Sequence, residues 1–212
     1  MGINYSPKIV TDGLVLCLDA ENPLSYPGSG NTWYDLSGNG NHFTIGSSLT
    51  FSNNTFLMDN SPDGGGGANR NSSTAIPNST ACTLVFWIKS TDLQSLFWGS
   101  DNTNNQGDYF VGAYRVGSKE YYGPTTGPGA KAYYQDLSEK ANIYDYFPDG
   151  NWHMIEFKNV DLSTWTNQHT FNSYSLYTFA NGAVGVIKMY NKILTVAESL
   201  QNYLALKGRF GL

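Results

Sequence analysis

The stretch that decides the fold runs from residue 13 to residue 44 and reads GLVLCLDAENPLSYPGSGNTWYDLSGNGNHFT. It opens with five consecutive apolar residues, Leu14 to Leu18, which predict a buried β-strand. A segment rich in Asn, Gly, Ser and Pro follows at once, and dipeptides such as Asn39-Gly40 are typical of tight turns. Aromatic residues lie among these turns, so we expect a compact, packed loop and not a linker.

Composition places the chain among β-rich globular domains. It has 212 residues, of which 15% are aromatic and only 14% are charged, and 23 glycines punctuate the sequence. This profile predicts one folded domain over residues 1–212, with a short N-terminal lead over residues 1–12. The net charge of −5 and the lack of Lys/Arg clusters argue against binding to nucleic-acid phosphates.

The sequence carries no recognisable export or membrane signal. The first residues do not show a basic region followed by an apolar core, so no secretory signal is expected. No apolar run approaches the roughly 20 residues that span a bilayer. Cys17 and Cys82 lie in apolar runs, which favours two buried free thiols, while a disulfide between them stays the alternative.

Residues 82–90, CTLVFWIKS, form the clearest core strand. Leu84, Phe86 and Ile88 share one side, and the residues between them, which include Trp87, share the other. A strand covered on one face only alternates apolar and polar residues. We therefore expect this strand at the centre of its sheet, covered on both faces.

A short helix is expected at the C-terminal end of the sequence, over residues 195–207. Thr195 and Glu198 have the spacing of a capping box, in which each side chain binds the backbone N–H of the other. Leu200, Tyr203 and Leu204 recur at helical spacing. The pattern predicts an amphipathic helix that lies against the β-rich body. By contrast, residues 61–80, with four consecutive glycines, are expected to form a loop.

Three segments together resemble a known domain family. Residues 13–44 resemble the start of the laminin-G-like (concanavalin A-like) jelly-roll domains of bacteriophage virion proteins. Residues 184–212, VGVIKMYNKILTVAESLQNYLALKGRFGL, are similar to the closing strand, turn and final helix of that family, and residues 149–157, DGNWHMIEF, to one of its strands. The resemblance implies an all-β, concanavalin A-like (laminin-G-like) jelly-roll β-sandwich with a short C-terminal helix.

The resemblance also implies a role in a virus particle. Stand-alone domains of this kind would serve as capsid decoration, head-fibre or tail-associated subunits that dock on other virion proteins. Such a chain would be located in the virion after assembly in the host cytoplasm. Particle symmetry favours a homo-oligomer, with a trimer preferred.

The polar residues of the opening loop are interpreted as structural. Asp35 is expected to cap the turn at Ser37 and Gly38 through its own carboxylate. The loop residues that match the family motif, and for which we expect a structural role, are Trp33, Asp35, Ser37, Asn39 and Asn41.

Sequence patterns of catalysis are weak throughout. Glycosidases of the same superfold need paired carboxylates at fixed separation, but no strand carries a Glu-x-Asp-x-x-Glu pattern. Zinc ligand spacings and a Gly-x-Ser-x-Gly elbow are also missing. His153 is interpreted as a hydrogen-bonded structural residue, with a ligand or base role as the alternative. The chain is therefore expected not to be an enzyme and to need no cofactor.

Calcium and glycan binding remain open at the sequence level. Laminin-G-like domains often hold one calcium ion at the rim, and calcium prefers carboxylate and carbonyl oxygens. Loop carboxylates that could contribute are Asp35, Asp59, Asp63, Asp101, Asp108 and Asp149. Tyrosines crowded into residues 117–146 fit a protein interface, plain loop packing or sugar stacking. These candidate glycan- or partner-binding residues are Tyr121, Tyr122, Tyr133, Tyr134, Tyr144 and Tyr146.

Two functional hypotheses follow. In the first, the chain is a non-enzymatic virion structural protein whose partners are other virion proteins. In the second, it is a carbohydrate-binding adhesin module that recognises a host-surface glycan, with the tyrosines at its binding groove. Neither hypothesis involves nucleic acid or a membrane.

Overall fold

The computed structural model describes residues 7–46, 49–58, 68–71, 80–91, 96–99, 110–112, 114–116, 119–121, 132–140, 149–162, 168–171 and 182–212. These residues form sixteen strands, one α-helix and one 3₁₀ helix. The strands are β1 (Leu14–Asp19), β2 (Thr32–Trp33), β3 (Phe43–Ile45), β4 (Leu49–Ser52), β5 (Thr55–Met58), β6 (Ala68–Asn71), β7 (Cys82–Ser90), β8 (Leu96–Gly99), β9 (Phe110–Gly112), β10 (Tyr114–Val116), β11 (Lys119–Tyr121), β12 (Ala132–Gln135), β13 (Ser138–Lys140), β14 (His153–Val160), β15 (Gln168–Phe171) and β16 (Gly182–Tyr190). The α-helix is α1 (Val196–Leu206), and the 3₁₀ helix covers Lys207–Phe210.

Most of the strands belong to two antiparallel sheets. The larger has eight strands in the order β13-β12-β14-β7-β16-β5-β4, with β1 as a further partner of β16. One edge of β16 is shared, because β5 pairs with its first residues and β1 with its last. The second sheet has six strands in the order β2-β3-β6-β15-β8-β9, and β10 and β11 form a separate hairpin.

The main core contains apolar side chains from both sheets. Trp33 on β2 and Phe56 on β5 are both fully buried, and their ring centroids lie 4.6 Å apart. The same cluster includes Leu84, Phe86 and Ile88 of β7. Burial of apolar surface on this scale is the dominant favourable term in folding. The chain is an all-β sandwich with one short C-terminal helix, as the sequence predicts.

A second apolar cluster lies on the opposite face of the large sheet, under the C-terminal segment. Trp87 of β7 stacks on Phe210 with the ring centroids 4.6 Å apart, and on Tyr203 of α1 at 5.8 Å. Val85, beside Trp87 on the same face, belongs to this cluster. The prediction that β7 is central and covered on both faces is confirmed, because β7 lies between β14 and β16 and its two faces contribute to two cores.

The start of α1 is also confirmed. Thr195 caps the helix, its side chain accepts the Glu198 backbone N–H, and the Glu198 carboxylate accepts the Thr195 N–H at 2.8 Å. Within the described residues, no helix has the length and hydropathy needed to cross a bilayer. Cys17 and Cys82 are both buried and are not joined in a disulfide, as the sequence favours.

One sequence expectation about loops is wrong. Residues 61–80 are not entirely a loop, because Ala68–Asn71 forms β6 and pairs with both β3 and β15. Residues 117–146 also contain regular structure, since β11, β12 and β13 lie in that range and β12 pairs with β14 of the large sheet. Tyrosine favours strands, so Tyr133 and Tyr134 are the residues in the sequence that indicate β12. The sequence also predicts a strand at residues 174–179, and these residues lie outside the described part of the chain.

The expectation for the apolar side chains of α1 is met only in part, because Tyr203 packs on Trp87 of the sheet but Leu200 and Leu204 do not. Leu200 and Leu204 are 42% and 41% exposed, whereas Ser199 and Asn202 are buried. Helical spacing identifies which residues share a face, but not which face packs on the protein. Here Ser199 and Asn202 pack inward beside Tyr203, because polar groups of the sheet and of the N-terminal segment bind them.

Candidate functional site

The tyrosines of residues 117–146 are distributed over different environments. Tyr121 belongs to the backbone of β11, where it pairs with Tyr114. Tyr122, Tyr144 and Tyr146 lie outside the described residues. Only Tyr133 and Tyr134 have described side chains, and both are half-buried on β12.

Tyr133 and Tyr134 contact opposite faces of the large sheet. The Tyr133 ring packs edge-on against Phe157, with the centroids 5.4 Å apart, at the margin of the main core. The Tyr134 hydroxyl donates to Glu139 at 3.1 Å, and its ring lies 4.5 Å from the Nζ atom of Lys158. Burial, followed by the bond to Glu139, raises the pKa of Tyr134. Both side chains therefore make contacts within the domain.

The motif loop is held by the carboxylate of Asp35. Oδ1 accepts from the backbone N–H groups of Cys17 and Ser37, both at 2.8 Å. Oδ2 accepts from the Ser37 hydroxyl at 2.7 Å and from the Asn41 N–H at 3.0 Å. Four donors around one carboxylate tie the loop to β1 and leave Asp35 poorly placed to bind calcium.

Two asparagines complete the attachment of the loop to β1. Asn41 donates its side-chain amide to the Val15 carbonyl at 2.8 Å, and Asn39 donates to the Leu14 carbonyl at 3.3 Å. Trp33, from the same loop, is buried in the main core. The motif residues thus replace a neighbouring strand along part of β1.

His153 lies between two carboxylates at the start of β14. Its Nδ1 is 2.6 Å from Asp136 Oδ2, and its Nε2 is 3.1 Å from Asp149 Oδ1. Burial opposes protonation of the ring, but the hydrogen bonds to Asp136 and Asp149 outweigh it and raise the pKa of His153. The bonds of Asp149 to the side chain and backbone of Asn151 lower the pKa of that carboxyl to about 2.

The histidine site fastens a hairpin to the sheet. Asp136 and Leu137 form the tip between β12 and β13, with positive φ angles of 47° and 72°. Asp136 also exchanges backbone and side-chain hydrogen bonds with Met154, at 3.0 and 2.9 Å. Positive φ is uncommon for residues other than glycine. The hydrogen bonds of Asp136 therefore stabilise a turn whose backbone conformation is unfavourable for its two residues. Within the described residues, no group of three His, Cys, Asp or Glu side chains is arranged to hold a metal ion.

A layer of charged side chains is buried between the large sheet and the C-terminal segment. Glu156 is fully buried, and its Oε2 lies 3.6 Å from Lys158 Nζ, which is longer than a hydrogen bond. Lys158 instead donates to the Ser199 hydroxyl at 2.7 Å and to the Leu194 carbonyl at 3.3 Å. Burial raises the pKa of Glu156, and the nearby Lys158 opposes it only in part.

Lys188 is the most unusual member of this layer. It is 1% exposed, it is the cross-strand partner of Cys17, and its Nζ has no hydrogen-bond partner among the described residues. Burial lowers the pKa of Lys188 to about 8 and raises that of the Cys17 thiol to about 11. Glu156, Lys158 and Lys188 are all buried, so the layer does not offer a surface for a ligand.

The outward face of α1 exposes several large apolar side chains. Five residues of the helix are exposed, and none of them carries a charge: Val196, Ala197, Leu200, Gln201 and Leu204. Val196 is 79% exposed, and Ile193, three residues before it and outside the helix, is 45% exposed. We call Ile193, Val196, Leu200 and Leu204 the apolar stripe. The sequence predicts helical spacing for Leu200, Tyr203 and Leu204, but of these three only Tyr203 packs on the sheet.

Polar contacts hold α1 in this orientation. Asn202 accepts the Val10 N–H at 3.0 Å and donates to the Tyr190 hydroxyl at 3.1 Å. Ser199 accepts from Lys158 on the sheet. Satisfied polar groups at a helix–sheet contact fix its orientation, because each would be costly to bury without its partner. These bonds turn Ser199 and Asn202 toward the sheet, and the apolar stripe on the other side of the helix therefore faces solvent.

Comparisons with known proteins identify the fold. No protein-family model matches the chain, and no curated protein matches it in sequence. Among solved structures, it is similar to a Trypanosoma rangeli sialidase in complex with the inhibitor DANA, at 14% identity and a TM-score of 0.58, over 99% of this chain and 36% of that chain.

Two toxin domains are also similar. The binding domain of botulinum neurotoxin DC, in complex with rat synaptotagmin II, matches at 16% identity with a TM-score of 0.54. The receptor binding domain of botulinum neurotoxin type G matches at 15% identity with a TM-score of 0.51. Both matches cover 92% of this chain and 52% of the other. The chain thus spans about a third to a half of the structures that it matches, and at these identities the likeness establishes the β-sandwich fold alone.

Proposed function

We propose that this chain is a non-enzymatic docking subunit of a bacteriophage particle, attached to other virion proteins as capsid decoration, head fibre or tail-associated protein. The observation that carries the docking role is the apolar stripe on α1. Contiguous exposed apolar surface on a soluble domain is typical of interaction sites. The virion assignment is supported by the resemblance of residues 13–44 and 184–212 to phage particle domains.

The non-enzymatic part of the proposal is supported by how the described polar groups are used. Asp35 and His153 each bind neighbouring segments of the chain, and the charged layer around Lys188 is closed to solvent. Catalysis needs groups that can reach a substrate. In the described part of the chain, these groups instead hold the fold together.

Particle composition tests the virion assignment. Quantitative mass spectrometry of purified particles would give the copy number of this chain relative to the main shell protein. A copy number comparable to that of the shell protein supports a decoration subunit, and a handful of copies supports a tail or fibre component. Absence of the chain from purified particles would contradict the proposal.

Glycan binding is the second candidate function. The observation that favours it is the likeness in fold to a sialidase solved with sialic acid and to a receptor binding domain. Tyr121 and Tyr122 are the residues to test, because the rings of Tyr133 and Tyr134 already make contacts within the domain. The double variant Tyr121→Ala/Tyr122→Ala should abolish binding to host cells if these tyrosines stack on a sugar. Unchanged cell binding in that variant would contradict this use of the tyrosines.

A further inference from the structure

The sequence contains two Asn-Gly dipeptides, and the structure places their glycines in different surroundings. Asn39 and Gly40 lie in the motif loop, and both are exposed. The other dipeptide is Asn181-Gly182, in which Gly182 begins β16 and has β5 on one side and β7 on the other. Asparagine is a thermolabile residue, because the backbone nitrogen that follows it can attack its side-chain amide. Glycine has no Cβ and therefore obstructs this attack least.

The backbone nitrogen of Gly40 is available for such an attack. Gly40 has a positive φ of 70°, and its N–H makes no hydrogen bond to another described residue. A Cβ built at Gly40 would meet nothing within 4 Å, whereas a Cβ at Gly182 would collide with the Lys89 carbonyl oxygen of the neighbouring strand. The attack at Gly40 therefore needs only a local movement of the loop, while the same attack at Gly182 needs the sheet to open.

The side chain of Asn39 is held only through its amide nitrogen. This nitrogen donates to the Ser37 hydroxyl at 2.9 Å and to the Leu14 carbonyl at 3.3 Å. The side-chain oxygen accepts no hydrogen bond from a described residue. Because Asn39 is exposed, water competes for both of its bonds. The side chain can therefore leave these partners and turn toward the Gly40 nitrogen.

We propose that Asn39 is a site of spontaneous deamidation, and that the reaction loosens the motif loop from β1. The Gly40 nitrogen loses its proton and forms a bond to Cγ of Asn39, and the side-chain nitrogen leaves as ammonia. The product is a cyclic succinimide. One water molecule then opens the ring at either carbonyl and gives aspartate or isoaspartate at this position. One water is consumed and one ammonia is released, so the sequence of steps needs no further reagent. The site is independent of the docking role of α1.

Deamidation removes both hydrogen bonds that Asn39 donates, because a carboxylate is an acceptor only. It also brings a second negative charge into the turn. The Ser37 hydroxyl lies 2.7 Å from Asp35 Oδ2 and 2.9 Å from the Asn39 side chain, so the old and new carboxylates would lie close together and repel each other. Isoaspartate in addition lengthens the backbone by one methylene group. Both products therefore weaken the attachment of the loop to β1.

Peptide mass spectrometry of the purified full chain tests the site. The folded protein would be kept at mildly alkaline pH, which favours loss of the proton from the attacking nitrogen, and sampled over several weeks. Asn39 should convert at least tenfold faster than Asn181, and the products should include isoaspartate. In urea the two dipeptides should convert at similar rates, because the fold no longer distinguishes them. An Asn39 that stays intact in the folded protein, or that converts no faster than Asn181, would overturn the proposal.

Thermal unfolding tests the effect on the loop. Asn39→Asp, which has the side chain of one product, should lower the Tm by about 2–6 °C through the lost hydrogen bonds. The matched control is Asn31→Asp, because Asn31 is exposed and its side chain binds no described residue, and its Tm should stay close to that of the wild type. On storage, the wild type should drift toward the Tm of Asn39→Asp, while Asn39→Gln should not, because its longer side chain does not form this ring. An Asn39→Asp variant as stable as the wild type would overturn the loosening of the loop.

Discussion

The Nδ1 atom of His153 lies 2.6 Å from the Oδ2 atom of Asp136, across the gap between β14 and the β12–β13 hairpin. The same carboxylate group binds the Met154 backbone N–H through its other oxygen. Asp149 contacts the opposite ring nitrogen of His153. The His153 ring between two carboxylates thus fastens the hairpin tip, and the strength of this attachment depends on whether the ring is protonated.

The stability of the protein should therefore fall as His153 loses its proton. The pKa of His153 is raised in the folded state, so the folded protein binds the proton more tightly than the unfolded chain. The stabilisation is fully present below the unfolded pKa of about 6.5 and is lost as pH rises through the folded pKa. Urea unfolding of the wild type and of His153→Gln at several pH values should give a difference in unfolding free energy that shrinks on the alkaline side. A difference that does not change with pH would contradict the fastening role.

Replacing Lys188 should stabilise the protein. Burial lowers its pKa from 10.5 to about 8, which corresponds to about 3 kcal/mol of unfavourable free energy when the side chain is charged. Methionine has a similar volume and no charge, and such replacements of buried charges are often stabilising by about 1–4 kcal/mol. Lys188→Met should raise the free energy of unfolding at pH 7 by about 1–3 kcal/mol.

The pH dependence of that gain provides the check. Between about pH 8 and 10.5 the unfolded chain binds the Lys188 proton more tightly than the folded protein does. The stability of the wild type should rise relative to Lys188→Met across that range, so the advantage of the variant should shrink. The exposed Lys8 provides the control Lys8→Met, which should have little effect. A Lys188→Met variant less stable than the wild type at pH 7 would show that the amine is well paired.

Removing the Asp35 carboxylate should destabilise the motif loop strongly. Asp35→Ala leaves the N–H groups of Cys17, Ser37 and Asn41 without their acceptor. Each buried donor left without a partner costs about 1–3 kcal/mol. Thermal unfolding should show a large loss for Asp35→Ala, a smaller loss for Asp35→Asn, and almost none for the exposed control Asp12→Ala. Equal stability of Asp35→Ala and the wild type would contradict the structural role of the motif.

A single methyl group at Gly185 should loosen the C-terminal segment. A Cβ built at Gly185 would lie 2.6 Å from ring atoms of Phe210, so the ring would have to leave its place against Trp87. Overpacking of this kind typically costs about 1–3 kcal/mol. Hydrogen exchange of residues 207–210 should become faster in Gly185→Ala but not in Gly208→Ala, because a Cβ at Gly208 would meet nothing within 4 Å. Unchanged exchange in Gly185→Ala would show that Phe210 does not anchor the segment.

The sequence predicts the parts of this fold in which local pattern and burial agree. The uninterrupted apolar run of β7 indicates a strand buried on both faces, and both faces are buried. Thr195 and Glu198 predict the start of α1, because a capping box needs only residues three positions apart. Asp35 beside Ser37 and Gly38 predicts a capped turn. In each case the signal lies within a few neighbouring residues.

Other features depend on partners that are distant in the sequence. Ser199 and Asn202 can face inward only because Lys158, Tyr190 and Val10 provide hydrogen bonds, and no local pattern reveals those partners. Lys188 is the single charged residue in the apolar run of β16, and a lysine in a strand is usually exposed. Its face of the strand is covered by the C-terminal segment, which comes later in the chain. The candidate docking surface was therefore visible in the sequence as a helical pattern, but its orientation was not.

The most direct test of the docking role is to measure how much of the chain joins particles when the apolar stripe is altered. Particles assembled with the wild type, with Leu200→Gln/Leu204→Gln or with the control Leu24→Gln would be purified, and the chain quantified against the shell protein. Docking through α1 predicts normal incorporation of the wild type and the control, and at least a tenfold loss for the stripe variant. Equal incorporation of all three proteins would contradict the claim that this helix face docks the chain.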